Sequence, residues 1–275
     1  SVGACVGMAA IVITRLTVVD GWNVFAAVAV TLAVGLLIGA VNGFLVVVAK
    51  IDSFITTLAM SSVLAAAILA VSGNRPAVGV PEGLTKLGAT QIFGIQLPVF
   101  YLAVLALVVW FVLEHTTVGR YIYATGGGID AARLAGVRTG RILAGVLVCS
   151  AAIAALAGIV VTARVGAGSP DVGPPYLLPA FAAAFLGPTQ FKPGRYNVLG
   201  TVLAVYVLAV GVKGLQLAGA PFWLPDLFNG VALLLAVGLT TYERRGLVSR
   251  KRRAAESKAK GTETSPGELT KGDAS

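Results

Sequence analysis

Long, uncharged apolar blocks alternate with short polar or charged segments along this chain. The blocks cover approximately residues 2–14, 22–49, 53–71, 97–113, 142–163, 176–187, 197–212 and 222–242. About 20 apolar residues form a helix long enough to cross roughly 30 Å of hydrocarbon. Membrane-spanning β-strands would instead alternate apolar and polar residues in segments of about ten. The pattern therefore predicts an all-α, polytopic membrane protein with about eight transmembrane helices.

Two of these blocks differ from a simple span. Block 22–49 is longer than one perpendicular crossing needs, and block 176–187 is shorter than the usual minimum. Proline breaks or kinks helices, and four prolines lie in or beside the short block: Pro174, Pro175, Pro179 and Pro188. We therefore expect a broken helix here, shielded from lipid by its neighbours.

Composition and charge agree with a membrane location. The chain of 275 residues is 57% hydrophobic and 12% charged, with a mean hydropathy of +0.88. Soluble domains carry about a quarter charged residues. The net charge of +9 does not indicate nucleic-acid binding, because the basic residues lie in connecting segments and a tail. Cys5 and Cys149 lie inside apolar blocks without metal-ligand spacing, so no metal site is predicted.

The basic residues predict an orientation. Short cytoplasmic segments hold an excess of Lys and Arg, and two segments of this chain stand out: residues 114–141 and residues 244–253. We expect both on the cytoplasmic side, together with the C-terminus, and residues 72–96 outside. Residues 1–245 then form the transmembrane domain, and residues 246–275 form a flexible polar tail.

The span interiors contain no Asp, Glu, Lys, Arg or His apart from Lys213 and Asp226 near span ends. Many ion-coupled transporters need ionisable groups at membrane depth, and a hydrolase needs a titratable group within reach of its substrate. The lone histidine, His115, lies at the end of a block, where an interfacial role is expected. The chain also lacks the glycine-rich phosphate loop of many ATPases. These absences predict a protein without catalytic residues or a cofactor, whose energy comes from a partner.

The segment after the fourth block has a distinctive pattern. Gly126 and Gly127 permit a sharp bend, Asp130 begins a short run of good helix formers, and Gly136 can end it. This pattern predicts a short helix parallel to the membrane that serves as a docking element. The alternative interpretation is an ordinary connecting loop.

The same segment carries a family resemblance. Residues Gly119-Arg120-Tyr121-Ile122-Tyr123-Ala124, Gly126-Gly127 and Ala131-Ala132-Arg133-Leu134-Ala135-Gly136 resemble the cytoplasmic loop of ribose- and xylose-type permeases of ABC importers. Weaker matches follow in the family's order over nearly all of residues 1–245, including Ser1-Val2-Gly3-Ala4, Gly39-x-x-Asn42-Gly43, Phe54-Ile55-x-Thr57-Leu58, Ala157-Gly158-Ile159 and Gly200-Thr201. The family belongs to the superfamily of branched-chain amino acid and sugar permeases.

The resemblance implies a role in ATP-driven import across the bacterial plasma membrane. It implies three kinds of partner: a second permease copy, two ATP-binding subunits that hold the ATP, and an extracytoplasmic solute-binding protein. The family has ten spans with cytoplasmic ends, so we expect this chain to begin two spans into that fold. The residues implied to couple the permease to the ATPase are Gly119, Arg120, Gly126, Gly127, Asp130, Ala131, Ala132, Arg133 and Gly136.

A monosaccharide or related small polar solute needs polar and aromatic groups along its path. The candidates within the blocks are Asn42, Phe54, Thr56, Thr57 and Gln216. Such residues also satisfy backbone groups or bond between helices, and Gly35-x-x-x-Gly39 is predicted to be a close-packing face. The chain departs from the family at Leu177 and Pro179, where the family usually has acidic residues. The alternative function is a secondary transporter or passive channel for a small neutral solute.

Overall fold

The computed structural model describes residues 1–189 and 195–238. The chain divides into two compact units, Ser1–Ala180 and Phe181–Ser275. The helices are α1 (Val2–Thr14, continued by a π-helical turn at Arg15–Val19), α2 (Val24–Val47), α3 (Ser53–Ser72), α4 (Glu82–Ala89), α5 (Leu97–His115), α6 (Thr117–Gly127), α7 (Ile129–Leu134), α8 (Thr139–Val165), α9 (Leu177–Leu186), α10 (Val198–Leu217) and α11 (Leu224–Gly238). Four two-residue strands are β1 (Ala77–Val78), β2 (Gln91–Ile92), β3 (Ile95–Gln96) and β4 (Ala167–Gly168).

Six helices among the described residues are long and apolar enough to cross a membrane: α1 with its π-helical turn, α2, α3, α5, α8 and α10. The prediction of a polytopic α-helical membrane protein is confirmed. The short block predicted at 176–187 forms α9, whose 10 residues are about 15 Å long and cannot cross alone. The last block contains the shorter apolar helix α11. The basic cluster at 244–253 and the predicted tail at 246–275 lie outside the described residues.

Small residues on α2 bring it close to α8. A Cβ atom on Gly35 would lie 2.5 Å from the Cβ of Ala155, and one on Gly39 would lie 2.6 Å from the Cα of Val148. Four-residue spacing puts the two glycines on one helix face, where they let two backbones approach. The close-packing face predicted from the sequence is confirmed.

The core of the first unit lies between α1, α2, α3 and α8. One cluster of buried side chains includes Cys5, Ile38, Leu64 and Ala154. A second cluster lies nearer the C-terminal ends of α1 and α8 and includes Leu84 of α4. Burial of these apolar residues between helices replaces contact with lipid by close packing, which drives association of helices in a bilayer.

The segment predicted to lie outside, residues 72–96, is ordered. It contains β1, helix α4 and the hairpin formed by β2 and β3. A Cβ on Gly83 would lie 3.4 Å from the Val24 side chain, and one on Gly88 would lie 2.5 Å from the backbone of Ala163. Strand β1 also pairs with β4, directly after α8. The segment therefore covers the C-terminal end of α8 and the N-terminal end of α2.

After α8 the chain turns back along α1 without forming an α-helix. We call residues 166–176 the return segment. Gly168 packs closely against Thr14 and Ala10, whereas Gly173 packs against Gly7 and Gly3. The return segment therefore runs about 10 Å towards the start of α1, at 1.5 Å per helical residue.

The return segment places one charged residue, Asp171, beside α1. Asp171 falls between two apolar blocks in the sequence. In the structure it belongs to a 3₁₀ turn, Pro170–Val172, which packs beside α1 and α3. The apolar blocks alone therefore do not contain every charged residue of the helical layer, because the chain reaches that layer here without an apolar block.

The second unit is described at residues 181–189 and 195–238. Ala182, Ala183, Ala204 and Leu208 form its buried core, against which Phe228 packs. The side chain of Asn197 begins α10 by accepting a hydrogen bond from the backbone N–H of Gly200 at 2.6 Å. Its amide group also donates to the carbonyl of Gly187 at 3.3 Å, which ties the start of α10 to the turn after α9.

Candidate functional site

A tight corner connects α5 to the segment predicted to dock a partner. The hydroxyl of Thr116 donates to the carbonyl of Val112 at 2.6 Å and accepts from the N–H of Gly119 at 3.4 Å. Gly119 itself lies directly against the backbone carbonyl of Leu113, where no Cβ atom has room. Gly119, which was predicted to belong to this segment, is therefore needed here because the backbone passes too close for any other side chain.

Helices α6 and α7 follow the corner and are separated by a single extended residue, Gly128. Gly126 and Gly127, predicted to form the bend, instead lie in the last turn of α6. Helix α7 is the predicted short helix. It ends at Gly136 with φ +84°, and the N–H of Val137 donates to the carbonyl of Ala132 at 3.0 Å, the pattern typical of a glycine helix end.

Helix α7 has one buried side and one exposed side. Ala132 is buried, whereas Ile129, Asp130, Arg133 and Leu134 are exposed; we call these four residues the α7 surface. Leu134 is 91% exposed, a high value for a leucine outside a lipid-facing span. The exposure of Ile129 and Leu134 was not predicted from the sequence, because a six-residue helix is too short for its periodicity to show which apolar residues face outwards.

The charged residues between Thr117 and Arg141 are predominantly positive. Asp130 lies in the first turn of α7 and Arg133 in the last turn, the arrangement that the helix dipole favours. Neither forms an ion pair within the described residues. The remaining arginines of the segment are also exposed: Arg120, Arg138 and Arg141. The α7 surface thus exposes two apolar side chains and two charges without an ion pair among the described residues.

The candidates for the solute path are not brought together as one site. Asn42 and Thr56 are both 3% exposed and lie within two turns of the connection between α2 and α3. The Oδ1 of Asn42 and the hydroxyl of Thr56 have no hydrogen-bond partner among the described residues, although the Asn42 amide donates to the Ser1 hydroxyl at 3.4 Å. Phe54 is 73% exposed.

The other two candidates have local partners. The hydroxyl of Thr57 donates to the backbone carbonyl of Phe54 at 3.2 Å, as expected for a threonine that satisfies its own helix. Gln216 is exposed in the second unit, where its side chain accepts from Lys213 at 3.2 Å. Asn42 and Thr56 are therefore the two candidates with unused hydrogen-bonding capacity.

The described residues contain no group of three or more His, Cys, Asp or Glu side chains that could hold a metal ion. Cys5 is buried and Cys149 is exposed, and both are free thiols. The described part of the chain thus offers apolar helices, an exposed short helix and two unpaired polar groups.

Comparison with known proteins decides the family. The family described as "Branched-chain amino acid transport system / permease component" matches residues 1–237. The chain belongs to this permease family. It is a subunit of a transport system and not an enzyme, and the resemblance to permeases of ABC sugar importers is confirmed.

Curated relatives match most of this permease. The ribose import permease protein RbsC of Escherichia coli (strain K12) is 34% identical over 222 residues, covering 78% of this chain and 68% of the relative. The autoinducer 2 import system permease protein LsrC of Salmonella choleraesuis is 33% identical over 234 residues, covering 85% and 67%. RbsC of Bacillus subtilis is 30% identical over 198 residues, covering 71% and 62%. No solved structure matches.

The family places the permease in the bacterial plasma membrane as a multi-pass protein, in agreement with its apolar helices. A permease component of an ABC importer works with ATP-binding and solute-binding partners. The chain is therefore the membrane component of a transport system that also contains ATP-binding and solute-binding partners.

Proposed function

We propose that this permease imports a monosaccharide or a related small polar solute, and that the α7 surface docks the ATP-binding subunit. The exposure of Leu134 is the observation that carries the second part. A leucine that is almost fully exposed at the end of a helix gains about 1.5–3 kcal/mol when a partner buries it. The glycine end at Gly136 and the tight corner at Gly119 hold the helix in a fixed position for that contact.

The solute class rests on the relatives and on the polar groups of the chain. Two kinds of relative import ribose and autoinducer 2, according to their names. A small polyhydroxylated solute needs hydrogen-bonding groups without strong charge, and the free Oδ1 of Asn42 and free hydroxyl of Thr56 are such groups. They are the proposed path residues of the first unit, together with Phe54 and Thr57; Gln216 is the proposed path residue of the second.

We propose that the α7 surface and the C-terminus face the cytoplasm. Residues 72–96, the N-terminal end of α2 and the C-terminal end of α8 gather at one end of the first unit. The arginines at 138 and 141 precede or begin α8, at its other end. Because cytoplasmic segments are rich in arginine, the end with residues 72–96 faces outwards, where the solute-binding protein delivers its cargo.

The complete importer is proposed to contain a second copy of this permease, two ATP-binding subunits and an extracytoplasmic solute-binding protein. Helix α5 has no buried residue in the described structure, which leaves its surface for lipid or for the second copy. The permease itself binds no ATP in this proposal and alternates its opening between the two sides of the membrane.

The test uses the reconstituted importer and two matched leucine variants. Leu134→Ala removes the exposed side chain of the α7 surface, whereas Leu217→Ala removes one that is 87% exposed at the end of α10. We expect Leu134→Ala to weaken retention of the ATP-binding subunit by about tenfold or more, from the energy of burying a leucine. Leu217→Ala leaves retention unchanged. Both variants are checked for normal membrane insertion.

Two results would overturn the proposal at different points. Equal retention of the ATP-binding subunit by both variants would remove the docking role of the α7 surface. Uptake of labelled sugar by proteoliposomes that lack ATP, at the rate seen with ATP, would favour the secondary transporter or passive channel instead. In that case the permease would act without the ATPase.

A further inference from the structure

Asp171 is the one carboxylate of the described chain that lies beside the middle of a predicted span. Its two neighbours along the return segment fix its position: Gly168 lies against Ala10 and Thr14, and Gly173 lies against Gly3 and Gly7. Asp171 is therefore level with the apolar centre of α1. No apolar block marks this position in the sequence.

The residues that surround the return segment are those of the membrane core. The side chain of Val172, next to Asp171, packs against the buried cluster that includes Cys5, Ile38 and Leu64. Gly173 is buried. Non-helical backbone at this depth is tolerated only where protein encloses it or where it borders a water-filled cavity. Here one side of the segment is enclosed by α1 and α3.

The other side of the segment carries the carboxylate. Asp171 is exposed, and it forms no ion pair among the described residues. An unpaired carboxylate that faces lipid near the bilayer centre costs several kcal/mol, so such groups face a cavity or a polar partner and are usually functional. Its own backbone N–H donates to the hydroxyl of Ser169 at 3.5 Å, which holds the turn.

Two further hydrogen-bonding side chains lie on the same short segment. Ser169 precedes Asp171 by two residues, and Tyr176, whose side chain is 48% exposed, follows it by five. A carboxylate accepts hydrogen bonds from two neighbouring hydroxyl groups, and hydroxyl side chains both donate and accept. This set fits a neutral polyhydroxylated molecule and disfavours an anionic one.

We propose that Asp171 binds hydroxyl groups of the solute inside the membrane, midway along its path. The proposal rests on the import function proposed above and names the group that the solute meets there. The carboxylate undergoes no chemical step. It replaces hydrogen bonds that a sugar loses when it leaves the solute-binding protein, and the absence of an ion pair among the described residues leaves the carboxylate free for each successive molecule.

The first experiment compares two conservative charge removals in the reconstituted importer. Asp171→Asn removes the carboxylate from the return segment. Asp52→Asn removes one from the turn before α3, where asparagine can still accept the hydrogen bonds from Phe54 and Ile55 that begin the helix. Uptake is measured with whichever of labelled ribose, xylose, arabinose and galactose the unsubstituted importer transports, at saturating solute-binding protein.

We expect Asp171→Asn to lower the uptake rate by about tenfold or more, as expected for loss of hydrogen bonds to a charged group. Asp52→Asn leaves it unchanged. Deoxy sugars that lack one hydroxyl identify the contact. For the hydroxyl that Asp171 binds, the deoxy sugar is transported more slowly by the unsubstituted importer, whereas in Asp171→Asn its rate equals that of the parent sugar.

The second experiment tests whether the position meets water. Cys5 and Cys149 are replaced by alanine, and Asp171→Cys is treated with a membrane-impermeant, water-soluble thiol reagent from the outside. We expect labelling that the transported sugar slows. A thiol that the reagent does not modify would show that the segment faces lipid or protein, and would overturn the proposal.

The remaining outcomes separate this inference from the function it rests on. Unchanged uptake by Asp171→Asn would refute the contact between Asp171 and the sugar, and ATP-driven import would still stand. The same conclusion follows if every deoxy sugar slows uptake equally in the unsubstituted importer and in Asp171→Asn. Uptake of none of the four sugars by the unsubstituted importer refutes the proposed function itself. Uptake that requires an inward proton gradient and no ATP, with that requirement lost in Asp171→Asn, assigns Asp171 to proton transfer, which also overturns the proposal.

Discussion

The close approach between α2 and α8 yields a quantitative prediction. A Cβ atom placed on Gly35 would lie 2.5 Å from the Cβ of Ala155, and its next neighbour would be the Ala151 carbonyl oxygen at 3.2 Å. Carbon atoms in contact prefer about 3.5–4.0 Å. Gly35→Ala therefore collides mainly with a single methyl group, and Ala155→Gly removes that methyl group.

Two effects of opposite sign act in Gly35→Ala. Replacing glycine by alanine inside a helix stabilises it by about 1 kcal/mol, whereas overpacking costs about 1–3 kcal/mol. The single variant is thus expected to range from neutral to about 2 kcal/mol less stable. The effect of each substitution on helix propensity is the same in the single and the double variant, so it cancels in a double-mutant cycle. The coupling between Gly35→Ala and Ala155→Gly should therefore be favourable by about 1 kcal/mol or more.

The assay is equilibrium unfolding of the purified permease in mixed micelles, for the two single variants and the double variant. Gly145→Ala on α8 is the matched control, because no atom lies within 4 Å of the position that its methyl group would take. Its coupling to Ala155→Gly is expected to be near zero. Equal coupling in both cycles would contradict the packing described for Gly35, since only one of the two methyl groups meets Ala155.

Two further predictions concern the corner before α6 and the start of α10. Gly119→Ala should cost about 1–3 kcal/mol and lower the midpoint of thermal unfolding by a few degrees. Its methyl group meets the backbone carbonyl of Leu113, which cannot move away as a side chain could. Gly126→Ala, where a methyl group meets open space, should be neutral or stabilising. Asn197→Ala should cost about 1–2 kcal/mol in chemical unfolding, more than Asn23→Ala, because the Asn197 cap is buried and the Asn23 cap is exposed.

Each of these comparisons has an outcome that contradicts it. Equal melting temperatures for Gly119→Ala and Gly126→Ala would mean that the corner opens freely, so that it does not hold α6 in place. A larger loss for Asn23→Ala than for Asn197→Ala would mean that the hydrogen bonds from the Asn197 amide to two carbonyls contribute nothing to the second unit.

The transmembrane helices were predictable because lipid imposes a simple rule on sequence. A helix in hydrocarbon needs a long apolar block, and six helices of the described chain follow that rule. The approach of α2 to α8 was predictable from Gly35 and Gly39, since glycine four residues apart leaves a groove on one helix face. The short helix α7 was predictable from Asp130 and Gly136, which mark its two ends.

The return segment was not predictable in the same way. It is rich in proline and glycine and has no apolar block, so its sequence resembles an external loop. Its depth depends on contacts between Gly168 or Gly173 and residues of α1 that are far away in sequence. Likewise, the sequence shows that residue 134 is a leucine but not that this leucine is exposed, because its exposure depends on which residues pack around α7.

Helix α8 connects the two ends of the first unit without interruption. It begins directly after the α7 surface and ends directly before the return segment, and its 27 residues measure about 40 Å. A tilt of about 5° at the end next to α7 therefore displaces its far end by about 3–4 Å, from the same helix length. If α7 docks the ATP-binding subunit as proposed, α8 would carry a small rotation of α7 to the start of the return segment as a displacement comparable to the length of a hydrogen bond.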